Sequence, residues 1–576
     1  MDGAVSFPLS WGDYTTFGAY LIGLSAIGWW AGRKQSADAD DYFLAGHSLP
    51  WYVVGGSFIA SNISSEHFVG MIGAATIYGI CVAMSEWGNV LSFSLLIWVF
   101  IPFLLASRVF TAPEFMERRF HPILRHFFAV LTVISCVVAF LAAPLYGGGL
   151  ALQSLFGWGL WTSIIFLGVV AGSWAVYGGL RSVAWTDLFT VIVMVVGGLL
   201  VTLLGLEMLS GESHSILDGF RIMIERNQAH SGIWKEVVQR NAEHIAHMAT
   251  YNRLSVIQPV THETNPWPSL FLGVFSVSIW YNVINQFMIQ RVLGAKNMYH
   301  ARMGIVFAGF LKVLMPAIVI LPGLILFAHR PEILELPWKE IRPEADKGYI
   351  YLIQTLVPVG LRGLFLAAFF GAIQSHVNAV LNSTATVVTL DIYQRLVNPH
   401  ASPKHYVVFG RLMTVIILII SIVMAGYISH FRGSLFVYIQ TLYAFFAPPF
   451  GAVFLLGVLW RRINGPGAIA AVFAGFVFGI AVKVYVEYFN HPSWLEPYAI
   501  QGILNWAFCV VLCTVVSLLT PLPRPEQVSD QLTINWRRLN LFENLGAHWF
   551  TSVVTWWALF VVIILTLVIV FSGLVL

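Results

Sequence analysis

The chain has 576 residues, of which 58% are hydrophobic and only 10% charged, and its mean hydropathy is +0.77. Soluble proteins carry about 25% charged residues, so the composition excludes a soluble globular protein. Apolar runs of about 20 residues recur along the chain, each long enough to cross a hydrocarbon core of about 30 Å. The sequence therefore predicts an all-α polytopic protein of the lipid bilayer. The net charge of +3, with scattered basic residues, indicates no nucleic-acid partner.

The apolar runs predict about fourteen transmembrane helices. In chain order these cover residues 13–31, 50–80, 82–106, 123–145, 158–177, 186–209, 267–288, 303–328, 361–396, 406–430, 434–460, 466–487, 498–519 and 549–574. Basic residues mark alternate connections, namely Arg33, Lys34, Arg108, Arg118, Arg119, Arg181, Arg291, Lys296, Arg395, Lys404, Arg461 and Arg462. By the positive-inside rule these connections are cytoplasmic. We expect a multi-pass protein of the plasma membrane, a bacterial inner membrane or another cell membrane, with both termini outside.

Two predicted outer connections are unusual. The connection at 329–347 contains four basic residues together with five acidic ones. The connection at about 210–266 is long enough to escape the charge rule. It contains an amphipathic piece, "HSILDGFRIMIER", that we expect to lie over the outer face.

Cysteines and loop histidines indicate neither disulfides nor a metal site. The four cysteines lie in apolar runs, where we expect small buried side chains. His244, His247 and His262 fall in predicted loops and are expected to be solvated. No organic cofactor is expected.

Two predicted helices are interrupted by polar residues. The stretch "FIASNISSEHFVG" lies in the second span and "SVSIWYNVINQFMIQR" in the seventh. An offset of five spans means that the two helices cross the bilayer in opposite directions. Paired broken helices of this kind are typical of inverted-repeat transporters, whose solute and ion sites lie near the midplane. The alternative is two ordinary spans whose polar residues bond to neighbouring helices.

Glu86, Lys312 and Asp187 are ionisable residues inside predicted spans. Glu86 and Lys312 are deep, where a charge costs about 2.5–3.5 kcal/mol, so each needs a partner or a wet cavity. They can form a purely structural ion pair or contribute to a site. Asp187 lies near the cytoplasmic start of its span, where a solvated or capping role competes with an ion-binding role.

The ninth span is far more polar than a lipid-facing helix. Ser375, Asn378 and Asn382 are spaced to share one helical face. Their side chains can bond helix to helix or provide oxygen ligands to a hard cation such as Na⁺. Gln440 and Tyr443, with Tyr438, add amide and aromatic groups in the eleventh span. Together these groups favour a neutral, hydroxyl-rich solute.

Several motifs resemble the sodium/solute symporter family and, within it, the sodium–sugar (glucose/galactose) cotransporter branch. They are "FLAGHSLPW", "ASNISSEHFVG", "SEWGN", "TAPEFMERRF", "VYGGLRSVAWTD", "NQFMIQRVLGAKN", "LNSTATVVTLDIY" and "GAVFLLGVLWRRINGPGA", in the family's order and spacing. The resemblance implies a five-plus-five inverted-repeat (LeuT-like) core with two broken helices over residues 50–460. Residues 1–49 would add one span and a cytoplasmic connection before the core, and residues 461–576 would add three spans after it.

The resemblance also implies a sugar site and a gate. The solute would be bound by residues on several spans, namely Asn62, His67, Glu86, Lys312 and Gln440. Tyr281 would stack on the sugar from the cytoplasmic side. Asn282, also expected near the solute, stands where sugar-transporting relatives usually have Trp, which leaves the choice of sugar or polyol open.

The ion site departs from the family pattern. The resemblance implies Na⁺ bound by the carbonyls of Ala60, Ile63 and Ala372 and by two adjacent serine hydroxyls. Only Ser375 is present, and His376 occupies the second serine position. A protonated His376 facing Asp187 would supply the positive charge of Na⁺ and favour proton coupling. The alternative is that His376 turns away and Na⁺ binds through the remaining oxygens.

These patterns predict a secondary active symporter that imports a sugar or polyol, and not an enzyme. One alternative is a membrane sugar sensor that transports little or nothing. Another is a symporter for a carboxylate or amino-acid solute, which the pair of His67 and Glu86 fits poorly.

Overall fold

The structure is a computed structural model that describes residues 9–33, 39–107, 111–428, 435–537 and 540–575. Two of the basic residues that set the predicted orientation, Lys34 and Arg108, and predicted span positions 429, 430 and 434 lie outside these ranges. Within the described ranges the chain is helical, and its β-pairing is limited to two isolated bridges.

Ten helices in the described part of the chain are long and apolar enough to cross a membrane. They are Ile80–Ser107, Pro122–Gln153, Gly179–Ser213, Met298–His329, Arg362–Val397, Pro403–Ile428, Phe436–Leu459, Gly465–Tyr488, Tyr498–Leu519 and Val553–Val570. Trp11–Gly32 and Leu160–Ser173 also overlap predicted spans but are less apolar or shorter. The all-helical membrane class is therefore confirmed, while the total of fourteen spans and the inverted repeat stay predictions.

The first broken helix consists of Trp51–Asn62 and Glu66–Tyr78. Ile63 is extended (φ −89°, ψ 130°), and the chain regains helical geometry at Ser65 before a π-helical turn. The second half ends at Gly79, whose φ of +87° suits glycine. The polar run "SNISSE" therefore marks a real interruption.

The second broken helix consists of Pro268–Ile284 and Gln286–Leu293, which meet at an angle of 51°. Asn285 joins them in an extended conformation (φ −63°, ψ 125°). The first part contains two π-helical stretches, Val274–Ser278 and Trp280–Ile284. Such stretches leave main-chain groups without their usual helical partners and often occur at functional sites.

Close helix packing sets the geometry around the first break. Trp51–Asn62 packs along Met298–Val319, and a Cβ added to Gly55 would lie 2.3 Å from the carbonyl oxygen of Gly304. The two helices approach this closely only because both positions are glycine. The contact places Lys312 beside the end of Trp51–Asn62.

Replacing Gly55 with alanine is expected to lower the stability of the protein by about 1–3 kcal/mol, the usual cost of overpacking. Gly18 offers a matched control in a helix, because an added Cβ there meets nothing within 4 Å. Thermal unfolding of the purified variants should show a lower melting temperature for Gly55→Ala and an unchanged or higher one for Gly18→Ala. Equal melting temperatures for the two variants would contradict the packing argument.

The connection at 210–266 is structured. The predicted amphipathic piece forms the helix Ile216–Gln228, and Gly232–Ala246 follows it. His244 and His247 are exposed, as predicted. The prediction for His262 is wrong: this side chain is fully buried against the rings of Tyr78 and Tyr251, and burial lowers its pKa to about 3. All four cysteines are buried free thiols.

Candidate functional site

A cavity of about 160 Å³ lies between the two broken helices. Drug-sized ligands occupy about 300–1,000 Å³, so this space suits a small solute. Six of the seven predicted solute-binding residues line it, namely Asn62, His67, Glu86, Tyr281, Lys312 and Gln440. The lining continues through Thr264, Asn265 and Tyr498 on the predicted outer side.

Glu86 and Lys312 form an ion pair that faces this cavity. The Lys312 ammonium nitrogen lies 2.6 Å from Glu86 Oε2, and the two side chains are 2% and 3% exposed. Lys312 also donates to the Asn62 side-chain oxygen, at the end of the first half-helix. The two charges therefore stabilise each other and remain at the wall of the cavity, where hydroxyl groups of a solute can reach them.

His67 connects the break to this ion pair. The backbone N–H of Ser64 donates to His67 Nδ1 at 3.3 Å, so Nδ1 is an acceptor and the ring proton lies on Nε2. Nε2 lies 3.4 Å from Glu86 Oε1. This arrangement fits a neutral imidazole that supplies one polar N–H at the cavity wall.

Glu66 is a site residue that sequence reasoning missed. It begins the second half of the first broken helix, lines the cavity and is 6% exposed. The Gln440 amide donates to its Oε1 at 3.5 Å. Its position in the sequence, between the break and His67, could have identified it as a residue of the cavity.

Aromatic rings close the cavity on the predicted cytoplasmic side. Tyr281 packs 5.5 Å from Tyr443 and 5.9 Å from Phe140, measured between ring centroids. Phe140 and Tyr443 stack at 5.0 Å, and Phe287 packs edge-on against Tyr281 at 5.8 Å. Tyr281 thus lies where a gating residue is expected. Sequence reasoning did not find Phe140, because nothing distinguishes it within its apolar run.

Asn282 lies outside the cavity lining. Its side-chain nitrogen donates to Asn89 Oδ1 at 2.7 Å and to Ser92 Oγ at 3.0 Å. The side chain therefore ties the second broken helix to Ile80–Ser107. Asn89 lines the cavity, so Asn282 lies behind the cavity wall, and its role in solute binding stays a prediction.

The predicted ion-site residues lie at the end of Trp51–Asn62 and on the facing helix. Ala60, Ile63 and Ala372 are all buried. Ser375 donates its hydroxyl to Asp187 Oδ1. Ser375, Asn378 and Asn382 are all buried inside Arg362–Val397.

His376 bridges two main-chain carbonyls. Its Nδ1 lies 2.6 Å from the Ser61 oxygen and its Nε2 lies 2.8 Å from the Phe140 oxygen. Ser61 is in the last turn before the break, and Phe140 is in the π-helical stretch Cys136–Ala142, where carbonyls lose their usual helical partners. Carbonyl oxygens only accept, so both bonds form together only with an imidazolium.

Asp187 is fully buried, which eliminates the solvated role considered from the sequence. Ser57 Oγ donates to its Oδ2 at 2.6 Å and Ser61 Oγ at 3.3 Å. Arg291 Nη2 lies 3.7 Å from the same oxygen. In the described part of the chain, His376 does not contact Asp187 as predicted. The serines and Arg291 already surround the Asp187 carboxylate.

Arg291 was assigned from the sequence to a cytoplasmic connection, and that placement is wrong. It belongs to the helix Gln286–Leu293 of the second broken helix and is fully buried. Its Nε donates to Ser57 Oγ at 3.1 Å. Arg291 and Asp187 therefore join the second broken helix to the first.

The family profile matched by this chain is described as the Sodium:solute symporter family, over residues 42–475. The chain is 32% identical over 553 residues to the sodium/myo-inositol cotransporter of Mus musculus, covering 92% of this chain and 76% of that protein. It is also 32% identical over 551 residues to the sodium/glucose cotransporter of Vibrio parahaemolyticus, covering 92% and 96%.

A solved structure shares the fold. The substrate-bound outward-open state of a Na⁺-coupled sialic acid symporter superposes with a TM-score of 0.70, over 89% of this chain and 99% of that one. The sequence identity is 21%. At this identity the likeness concerns the helix arrangement alone.

Proposed function

Because this chain belongs to the sodium:solute symporter family, we propose that it imports a sugar or polyol across the plasma membrane by alternating access. The observation that carries the proposal is the cavity between the broken helices. It combines the Glu86–Lys312 ion pair, the carboxyl group of Glu66, a neutral histidine and the amides of Asn62, Asn89, Asn265 and Gln440. Such groups can donate hydrogen bonds to, and accept them from, the many hydroxyl groups of a sugar or polyol. Relatives named for myo-inositol and glucose cotransport support this solute class.

The proposal includes the finer architecture. Spans two to eleven form a five-plus-five inverted repeat over residues 50–460, with one span before it, three after it and both termini outside. The two interrupted helices and the fold shared with a solved symporter support this arrangement. The solute enters between the broken helices from the outer side, and Tyr281 lies beneath it.

Uptake into proteoliposomes tests the proposal. Labelled myo-inositol and labelled D-glucose should accumulate under an inward ion gradient, and one of them should show counterflow when its unlabelled form is loaded inside. A membrane sensor would bind a solute but exchange nothing. Competition by carboxylates or amino acids, without competition by polyols, would favour the other solute class.

The coupling ion is the second part of the proposal. The family couples transport to Na⁺, and Ala60, Ile63, Ala372 and Ser375 supply oxygens for it here. His376, however, stands at the position where the family has the second serine ligand, and its ring hydrogen-bonds to the Ser61 carbonyl. When His376 is protonated, its imidazolium supplies a positive charge at the end of the first half-helix, so protons replace Na⁺ as the driving ion or the dependence on Na⁺ is weak.

Replacing His376 with serine is expected to make uptake depend on Na⁺. The variant restores the second hydroxyl and frees the Ser61 carbonyl, so Na⁺ gains ligands that the wild type uses for the imidazole. Uptake with and without Na⁺ should be measured from pH 5.5 to 8. The wild type should respond to pH more than to Na⁺, and His376→Ser the reverse. Strong, pH-independent Na⁺ stimulation of the wild type would establish plain Na⁺ coupling.

A further inference from the structure

The second half of the first broken helix carries two cavity residues, Glu66 and His67, at its beginning. The interruption at Ile63 disconnects this half from the helix before it. Its position is therefore fixed by contacts along its own length and at its far end. That end, at Tyr78, is about 18 Å from Glu66 at 1.5 Å per residue.

Arg253, from the long connection before the second broken helix, hydrogen-bonds to this far end. Its guanidinium donates to the carbonyl oxygens of Ile77 at 2.5 Å, Thr76 at 2.8 Å and Ala75 at 3.3 Å. These carbonyls belong to the last helical turn, where carbonyl groups run out of intrahelical donors. Of the three, Ala75 also accepts a hydrogen bond from the Gly79 N–H at 2.9 Å. In return, the backbone N–H of Ile80 donates to the Arg253 carbonyl at 2.8 Å.

The surroundings of Arg253 show that this is its principal role. The residue is 1% exposed, and its guanidinium lies 3.6 Å above the ring of Phe327. No ion pair among the described residues includes it. A buried arginine without a carboxylate finds its electrostatic partner in the negative end of the helix dipole.

Tyr251 and Gly79 also take part in this contact between Arg253 and the helix end. The Tyr251 hydroxyl also donates to the Ile77 carbonyl, at 2.9 Å, and accepts from Arg253 at 3.1 Å. A Cβ added to Gly79 would lie 2.2 Å from the Arg253 carbonyl, so only glycine permits this approach.

We infer that Arg253 is a positioning residue for the solute site, holding the outer half of the first broken helix so that Glu66 and His67 face the cavity. The inference rests on the proposed function, because the affinity for a polyol is its readout. It assigns a transport role to a residue of the long connection that is not itself part of the cavity lining.

The test compares two arginines of the long connection, the buried Arg253 and the half-buried Arg226, by equilibrium binding of labelled myo-inositol and D-glucose to the full-length protein in lipid nanodiscs. Arg226 is the matched control, since it donates to the Ala328 carbonyl at 3.0 Å and stacks on Trp234 but does not touch the broken helix. Arg253→Met should raise the Kd of the folded protein about tenfold. Arg226→Met should lower the melting temperature and leave the Kd within about twofold of the wild type.

An unchanged Kd in folded Arg253→Met would overturn the inference, even if that variant melts earlier. If it does not fold, Arg253→Lys and Tyr251→Phe replace it, and each should raise the Kd about threefold. A Kd within about 1.5-fold of the wild type in both would overturn the inference equally. Failure of the wild type to bind either solute would refute the proposed function instead.

Discussion

Replacing Lys312 with methionine is expected to reduce solute uptake strongly and to lower the stability of the protein by about 3–5 kcal/mol. The ammonium lies 2.6 Å from Glu86 Oε2 and also donates to Asn62, and the whole cluster is buried. Without it the Glu86 carboxylate remains buried and uncompensated. Uptake should fall about 100-fold, the equivalent of losing two charge-assisted hydrogen bonds. Thermal unfolding and initial uptake rates measure the two effects.

The double variant Glu86→Gln with Lys312→Met separates folding from transport. It removes both charges, so much of the lost stability should return. Uptake should stay as low as in the single variant, because the solute loses both polar partners. Wild-type uptake by the double variant would show that the pair is only structural.

Replacing Arg291 with glutamine should cost about 3–5 kcal/mol of stability, because Asp187 would lose the buried cation with which it pairs. Arg291 also donates to Ser57 in the first broken helix and to the carbonyl of Phe287 in the second. The change therefore releases the two broken helices from each other. Loss of melting temperature and of uptake should appear together.

Arg395 provides a control for this second prediction. Its side chain is 54% exposed and lies 2.5 Å from Glu117, which keeps a second partner in Arg125 at 2.6 Å. Exposed pairs contribute about 0–1 kcal/mol, so Arg395→Gln should change stability little. Equal losses in the two variants would contradict the role assigned to the buried network.

Local sequence signals located the first break and the polar cavity wall. The run from Asn62 to His67 is too polar for a lipid-facing helix, and Glu86 and Lys312 are too costly in hydrocarbon to lack a partner. Both inferences followed from the free-energy cost of placing a charge or an unpaired backbone group in the hydrocarbon core. The contact between Lys312 and Asn62 was not derivable, because it depends on the glycine-to-glycine approach of Gly55 and Gly304.

Residues whose environment comes from distant segments were misjudged. Arg291 was read as a loop residue because arginine near a span end is usually solvated, yet here Asp187, more than 100 positions away, keeps it buried. His262 was misjudged for the same reason. Asn282 lies beside Tyr281 in sequence, and its side chain donates to Asn89, which lines the cavity; its role in solute binding stays a prediction.

Direct binding to the purified protein tests the central claim, that a hydroxylated solute binds between the broken helices beside Glu86 and Lys312. Labelled myo-inositol and D-glucose should be titrated against the wild type and against the folded double variant Glu86→Gln with Lys312→Met. We expect the wild type to bind at least one of them and the double variant to bind it at least about 100-fold more weakly. Equal affinity in the two proteins would place the solute elsewhere and contradict the account.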